Sequence, residues 1–327
     1  MYKAFFHLQR HPFEITPDPS FLFATRKHNE ALASLYYGVQ RRKGFVVMTG
    51  EVGTGKTLLV RCLLRLLARA NVAYAYVFNP LLSPLEFLQY IAGDFQLPAA
   101  GKSKSELLLE LSSFVIARYQ KGLATVLVLD EAHHLSAEVL EEVRLLTNLE
   151  TPEEKLLQIL LVGQPELDAK LDSVSLRQLK QRVALRSCLG ALTLEETCGY
   201  IYSRLRVAGS AEPAACFPTE TIAEIYLHSH GIPRLINTLC ENALIHAYGR
   251  QVHSISPEHI VEIAADLRLN VVHPDAVEKR HDGHDMEVEH AARTLLDIYD
   301  RLRRARDAGG DLRFKVGTGA REHESYI

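Results

Sequence analysis

The eight residues Gly50-Glu51-Val52-Gly53-Thr54-Gly55-Lys56-Thr57 constrain this chain more than any other stretch. Gly50 and Gly55, with four residues between them and followed by Lys and Thr, form the phosphate-loop pattern. The glycines let backbone N–H groups close around phosphate oxygens. Lys56 supplies a point charge for the β- and γ-phosphates, and Thr57 offers a hydroxyl to Mg²⁺. The flanks fit the same reading. Residues 44–49 read as a short buried strand, and residues 58–67, opening on Leu58, read as a helix whose N-terminus is an anion site. A strand, a tight loop and a helix in that order restrict the fold to strand–helix units.

The stretch that follows extends the pattern. Apolar runs at 72–78, 125–130 and 157–163 alternate with helical periodicity at 84–95, 106–120 and 135–149, and a last short strand is expected at 187–192. Uninterrupted apolar strands alternating with helices imply a parallel sheet covered on both faces. Ahead of it, residues 26–42 have helical periodicity, and the first 25 residues are aromatic and Pro-rich, an irregular segment packed on a domain. From Thr193 the chain turns all-helical. Thr193-Leu194-Glu195-Glu196 has capping-box spacing, and helices are expected at 194–208, 219–229, 232–248 and 256–268. The reading is an α/β nucleotide-binding domain over 1–192, a smaller helical lid over 193–268 and a charged tail over 269–327 with one amphipathic helix.

A net charge of −3 gives no general attraction to nucleic acid or anionic lipid. The five cysteines are scattered without a CxxC pair, which indicates neither a zinc site nor a disulfide framework and fits a reducing cytosol. No secretory leader and no long apolar run is seen, so the expectation is a soluble cytoplasmic protein, held at the inner face of the cytoplasmic membrane, if at all, through a partner.

The second chemical signal is Leu127-Val128-Leu129-Asp130-Glu131. The apolar strand carries Asp130 to the carboxyl edge of the sheet, beside the phosphate loop, where it can hold Mg²⁺ together with Thr57. Glu131 follows at once and is placed to polarise an attacking water. With these residues the chain resembles the AAA+ ATPases over about residues 1–268. The resemblance implies bound ATP and Mg²⁺, hydrolysis at a subunit interface and a homo-oligomer, most simply a ring. It gives Gln164, in Gly163-Gln164-Pro165-Glu166-Leu167, the role of the first sensor, although Asn or Thr is the usual residue. It places an arginine finger near the end of the helix before the last core strand, with Arg182 as first choice and Arg186 as second. It also makes Arg234, in Gly231-Ile232-Pro233-Arg234, a second sensor reaching from the lid to the nucleotide.

A narrower resemblance lies in Tyr2 to Leu8, Pro12 to Pro19, Phe21 to Phe23, Leu156 to Leu167 and Gly231 to Asn237. These segments look like the ExeA/GspA-like ATPases of general secretion. The resemblance implies that Pro12 and Phe13 line the adenine pocket, and that the protein serves as a motor or assembly factor for a secretion, pilus or exopolysaccharide system of the cell envelope. Transmembrane and peptidoglycan-binding regions found in that family are not expected here. An alternative with the same core signals is a DNA-associated ATPase similar to transposition helper proteins. Arg41-Arg42-Lys43 could touch DNA, but no recognition motif accompanies it, so nucleic acid is admitted as a partner but not favoured.

His133 and His134 read as an ordinary loop, because adjacent histidines diverge from a strand end. The tail histidines His273, His281, His284 and His290 read as a solvated linker. Val288, Ala291, Leu295, Ile298 and Leu302 would share one face of a tail helix with arginines at its end, suited either to packing in cis or to a partner.

Overall fold

The computed structural model describes residues 1–78 and 81–269. The expected tail helix and the tail histidines lie outside the described residues. Among the described residues there are five strands: β1 (Phe45–Gly50), β2 (Ala73–Val77), β3 (Thr125–Leu129), β4 (Leu157–Gly163) and β5 (Leu185–Leu189). They form one sheet in the order β2-β3-β4-β1-β5, with every pairing parallel.

β1, β3 and β4 are buried at every position, as expected of apolar strands covered on both faces. Alternate side chains point to opposite faces. Phe45, Val47, Leu127, Leu129, Ile159 and Leu161 pack with helices Pro84–Asp94, Lys104–Gln120 and Ala137–Leu146. Val46, Met48, Val126, Val128, Leu160 and Val162 face helices Arg26–Gln40 and Lys56–Arg69. The result is a three-layer α/β sandwich.

β5 starts at Leu185, two residues earlier than expected, and stops at Leu189. As an edge strand it is buried on one side only, so its apolar signal is weak. Leu192 has already left the sheet, and its N–H donates to the Gly231 carbonyl at 2.9 Å. That bond ties the sheet edge to the helical part of the chain. Gly231 has φ +73, and a Cβ there would lie 2.0 Å from the Leu192 carbonyl oxygen. Gly231→Ala is therefore both conformationally strained and sterically blocked. It should cost more than about 1 kcal/mol and lower the unfolding midpoint in calorimetry by several degrees. An unchanged midpoint would show that this tie contributes nothing to stability.

Helices Leu194–Val207, Thr219–Ser229, Pro233–Gly249 and Pro257–Asp266 form the helical part, as the periodicity predicts. The Thr193–Glu196 capping box forms in both directions, at 3.1 and 2.9 Å. Much of the aromatic N-terminal segment packs here: Tyr2, Leu8, Phe13 and Phe21 share a core with Ile201, Phe217 and Leu239, while Leu22 packs against the sheet-covering layer that includes helix Lys56–Arg69. The Tyr2 hydroxyl also meets the Glu241 carboxylate at 2.8 Å.

Candidate functional site

Register brings the predicted site together. Thr49 of β1 stands beside Gly163 of β4, and Leu129 of β3 beside Leu161 of β4. The next residues of these three central strands, Gly50, Gln164 and Asp130, therefore emerge at one edge of the sheet. Helix Lys56–Arg69 begins at that edge directly behind the phosphate loop.

The Lys56 side chain is buried, and its ammonium donates to the carbonyl oxygens of Gly50 at 2.7 Å and Glu51 at 3.0 Å. Burial lowers its pKa, opposed by the negative charges of Glu131, Asp130, Glu51 and Glu166. The Thr54 hydroxyl donates to the Glu51 carbonyl at 2.8 Å and closes the loop on itself. Gly53, at φ +82, permits a close contact with the helical part. A Cβ there would lie 2.6 Å from that of Arg234, whose N–H donates to the Gly53 carbonyl at 3.2 Å.

Asp130 is the best-furnished carboxylate of the site. Its Oδ2 accepts from the Thr57 hydroxyl at 3.1 Å and from the Tyr76 phenol at 2.6 Å, and its Oδ1 accepts from the Glu131 N–H at 3.0 Å. Burial first, then the Asp130 charge, push the Tyr76 pKa up, so the phenol keeps its proton and serves as donor. A hydroxyl and a carboxylate in contact, with no soft ligand between them, fit Mg²⁺, which takes one or two protein oxygens and completes its shell from water and phosphate. Thr57 and Asp130 are the residues that would hold it.

Glu131 lies in the left-handed region, at φ 52 and ψ 35. That conformation is uncommon for a residue other than Gly and recurs at active sites. It turns the backbone away from β3 and sends the Glu131 side chain to the wall of a cavity of about 210 Å³, which Gln164 also lines. The phosphate-loop residues Val52 to Leu58 form the cavity floor, and Arg234 with Pro233 forms part of its roof. One cavity thus brings together Lys56, Thr57, Glu131, Gln164 and Arg234, with Asp130 bonded to Thr57 at its edge.

Pro12, Phe13, Arg182 and Arg186 lie away from the cavity. Pro12 and Phe13 do not line the cavity. Phe13 is fully buried edge-on against Phe217, with ring centroids 5.9 Å apart, and Pro12 gives its carbonyl to the Arg204 guanidinium. A large apolar ring gains more from the helical core than from a polar cleft. The cavity wall comes instead from the next residues, Glu14 to Asp18, with Leu22 and Phe23. Arg186 is on β5, not at a helix end, and pairs with Asp168 at 2.6 Å. Arg182 follows the short helix Arg177–Lys180, as expected. There it donates to the Arg144 carbonyl at 3.2 Å, to Asn148 Oδ1 at 2.6 Å and to the Thr147 hydroxyl. Neither arginine lines the cavity of its own chain.

Several site residues were not foreseen. His28 is buried under the loop, with Nε2 3.2 Å from the Thr54 carbonyl and Nδ1 2.7 Å from the Thr25 hydroxyl. Burial lowers its pKa, which keeps it neutral, the form that donates through Nε2 and accepts through Nδ1. Arg204 is 5% exposed, lies over the rings of Phe21 and Tyr200 and bonds to the Glu14 carbonyl at 3.3 Å. It thereby anchors the N-terminal wall to the helical part. The Thr25-x-x-His28 capping spacing was a usable signal for His28. Nothing in the sequence pairs Arg204 with residues about 190 positions earlier.

The geometry described is that of a phosphate loop, a strand-end acidic pair and a helical C-terminal part beside a five-stranded parallel sheet. Residues 39–171 match the family described as AAA domain. Over that stretch the chain is similar to an AAA domain. It is also 45% identical over 256 residues to General secretion pathway protein A of Aeromonas hydrophila, an alignment that spans 78% of this chain and 46% of that protein. The chain thus covers about half the length of that relative. The AAA fold extends to solved structures of low sequence identity. The ORC2 protein of Aeropyrum pernix superimposes with a TM-score of 0.60 at 19% identity, over 81% of this chain and 73% of the other. Cdc6p of Pyrobaculum aerophilum gives 0.59 at 19% identity, over 81% and 70%. These likenesses establish the P-loop AAA fold, which agrees with the sheet order and the helical C-terminal part. Among the described residues no helix is long and apolar enough to cross a membrane.

Proposed function

We propose that this AAA protein binds ATP with Mg²⁺ and hydrolyses it as an oligomer, driving a motor or assembly step of a cell-envelope export system. The observation that carries the reading is the convergence of Lys56, Thr57, Glu131, Gln164 and Arg234 on one cavity. Lys56 and the loop N–H groups hold the phosphates. Mg²⁺ at Thr57 and Asp130, when bound, neutralises charge on the β- and γ-phosphates. Glu131 takes a proton from the attacking water, and Gln164 orients that water or the γ-phosphate oxygen. Arg234 meets the phosphates from the roof, so nucleotide draws the helical lid onto the AAA core. Its replacement by Ala should weaken ATP binding about tenfold, roughly 1.4 kcal/mol; titration with a fluorescent ATP analogue checks this, and an unchanged Kd would remove Arg234 from the site.

Arg182 and Arg186 sit off their own chain's cavity, which supports a role in a neighbouring copy's site, with Arg182 preferred because it follows a helix end. The export assignment rests on the relationship to General secretion pathway protein A, and a cytoplasmic location at the inner membrane face goes with it. The test is Mg²⁺-dependent ATP hydrolysis by the purified protein over a range of protein concentrations, with and without duplex DNA. Specific activity that rises with concentration and ignores DNA is the expected result. Activity that needs DNA, with a steep dependence on salt, would replace the export reading with the transposition-helper one.

A further inference from the structure

One imidazole nitrogen stands between the two residues assigned to the hydrolytic step. His133 lies in the short turn after Glu131, and its side chain is only 6% exposed. Its backbone is fixed: Lys170 donates to the carbonyl oxygens of His133 at 2.7 Å and Leu135 at 2.6 Å. The His134 ring lies against the His133 ring, with centroids 3.9 Å apart. The His133 side chain points inward to the end of β4, where the Gln164 N–H donates to Nδ1 at 3.4 Å. That bond needs a lone pair on Nδ1, and so a neutral ring with its proton on Nε2. Burial, followed by the nearby His134, lowers the His133 pKa and favours that neutral form; Glu131 and Glu166 oppose this and Lys56 reinforces it.

The same Nδ1 is 3.5 Å from Oε2 of Glu131. That oxygen is buried and accepts no hydrogen bond. A single ring nitrogen cannot accept from Gln164 and donate to Glu131 at once. While it serves Gln164, the Glu131 carboxylate faces a lone pair and stays free of protein donors.

We propose that His133 is a positioning residue for hydrolysis: by holding the Gln164 N–H on Nδ1, it fixes the end of β4 and keeps the Glu131 carboxylate unpaired for a water proton. The proposal rests on the reading of Glu131 as the water-polarising residue. It makes the δ nitrogen, not the ring, the part that matters.

Two substitutions separate nitrogen from ring. His133→Phe keeps the ring volume and removes Nδ1. His133→Asn removes the ring and keeps an acceptor in the δ position. His133→Phe should lower kcat for ATP by about 10- to 100-fold, the usual cost of losing a group that orients an active residue, with KM for ATP within about threefold. His133→Asn should retain kcat to within about threefold of the native protein. A role in packing predicts the reverse order, with Phe tolerated and Asn damaging. That reverse order, a native kcat in His133→Phe, or a loss appearing in KM rather than kcat would overturn the proposal. Glu131→Gln measured alongside keeps the two ideas apart. If it turns over normally, the reading of Glu131 fails; if it is inactive while His133→Phe is not, only the role of His133 fails.

Discussion

Lys56→Ala loses tight ATP binding. The loss expected in a titration with fluorescent ATP is at least about a hundredfold in Kd, close to 2.8 kcal/mol. Among the described residues, the ammonium is the one side-chain cation seated inside the phosphate loop, and it is held there by the carbonyl oxygens of Gly50 and Glu51 rather than by a carboxylate. It therefore has no tight ionic partner to give up when phosphate arrives, and its charge-assisted bonds to phosphate are the strong kind. The same arrangement predicts little harm to folding. Removing a buried cation relieves its desolvation cost, and the two carbonyls can turn to water. The unfolding midpoint of Lys56→Ala should stay within a few degrees of the native protein. Lys56→Arg should not restore binding, because a planar guanidinium with a longer reach cannot occupy the space of a compact ammonium. A Kd within threefold of native in Lys56→Ala would mean that the loop N–H groups alone hold the nucleotide.

How legible was this site? β1, β3 and β4 were readable because strands buried on both faces are apolar throughout, and the phosphate loop and acidic pair mark the ends of two of them. β5 was readable only approximately, since an edge strand such as Leu185-Arg186-Ser187-Cys188-Leu189 carries half the apolar signal. Sheet order is not written in local periodicity. Without it, nothing places Tyr76 of β2 beside β3, where the pairing of Val77 with Leu129 leaves the Tyr76 phenol 2.6 Å from Asp130. Phe13 illustrates a different limit. In an irregular segment no period says which side of the chain is inward, so an aromatic expected at the cleft is found in the helical core. His133 went the other way, from an expected loop to a buried contact, because the left-handed turn at Glu131 redirects the chain behind it.

That turn also sets up the second large effect. Glu131→Gln should keep ATP and stop its hydrolysis, with turnover falling by about 10²- to 10⁴-fold, the range for removing a positioned general base. The substitution preserves shape and exchanges a carboxylate that can take a proton for an amide that cannot. Affinity should hold, because in the proposed site the phosphate contacts come from the loop, Lys56 and Arg234, and the Glu131 side chain is given no part in them. The comparison to make is Kd for ATP against single-turnover rate in the same preparation; a rate above half the native value would sink the assignment and move the base elsewhere on the cavity wall. The amide has a further consequence. Where the carboxylate Oε2 lies 3.5 Å from His133 Nδ1 and accepts nothing, a side-chain NH₂ can donate to that nitrogen and compete with the Gln164 N–H. Glu131→Gln would then loosen the end of β4 as well as remove the base. Glu131→Ala removes the base without adding a donor, so the Gln164 amide should stay protected from hydrogen exchange in the Ala variant and lose protection in the Gln variant. Equal protection in both would show that the two residues do not compete for His133.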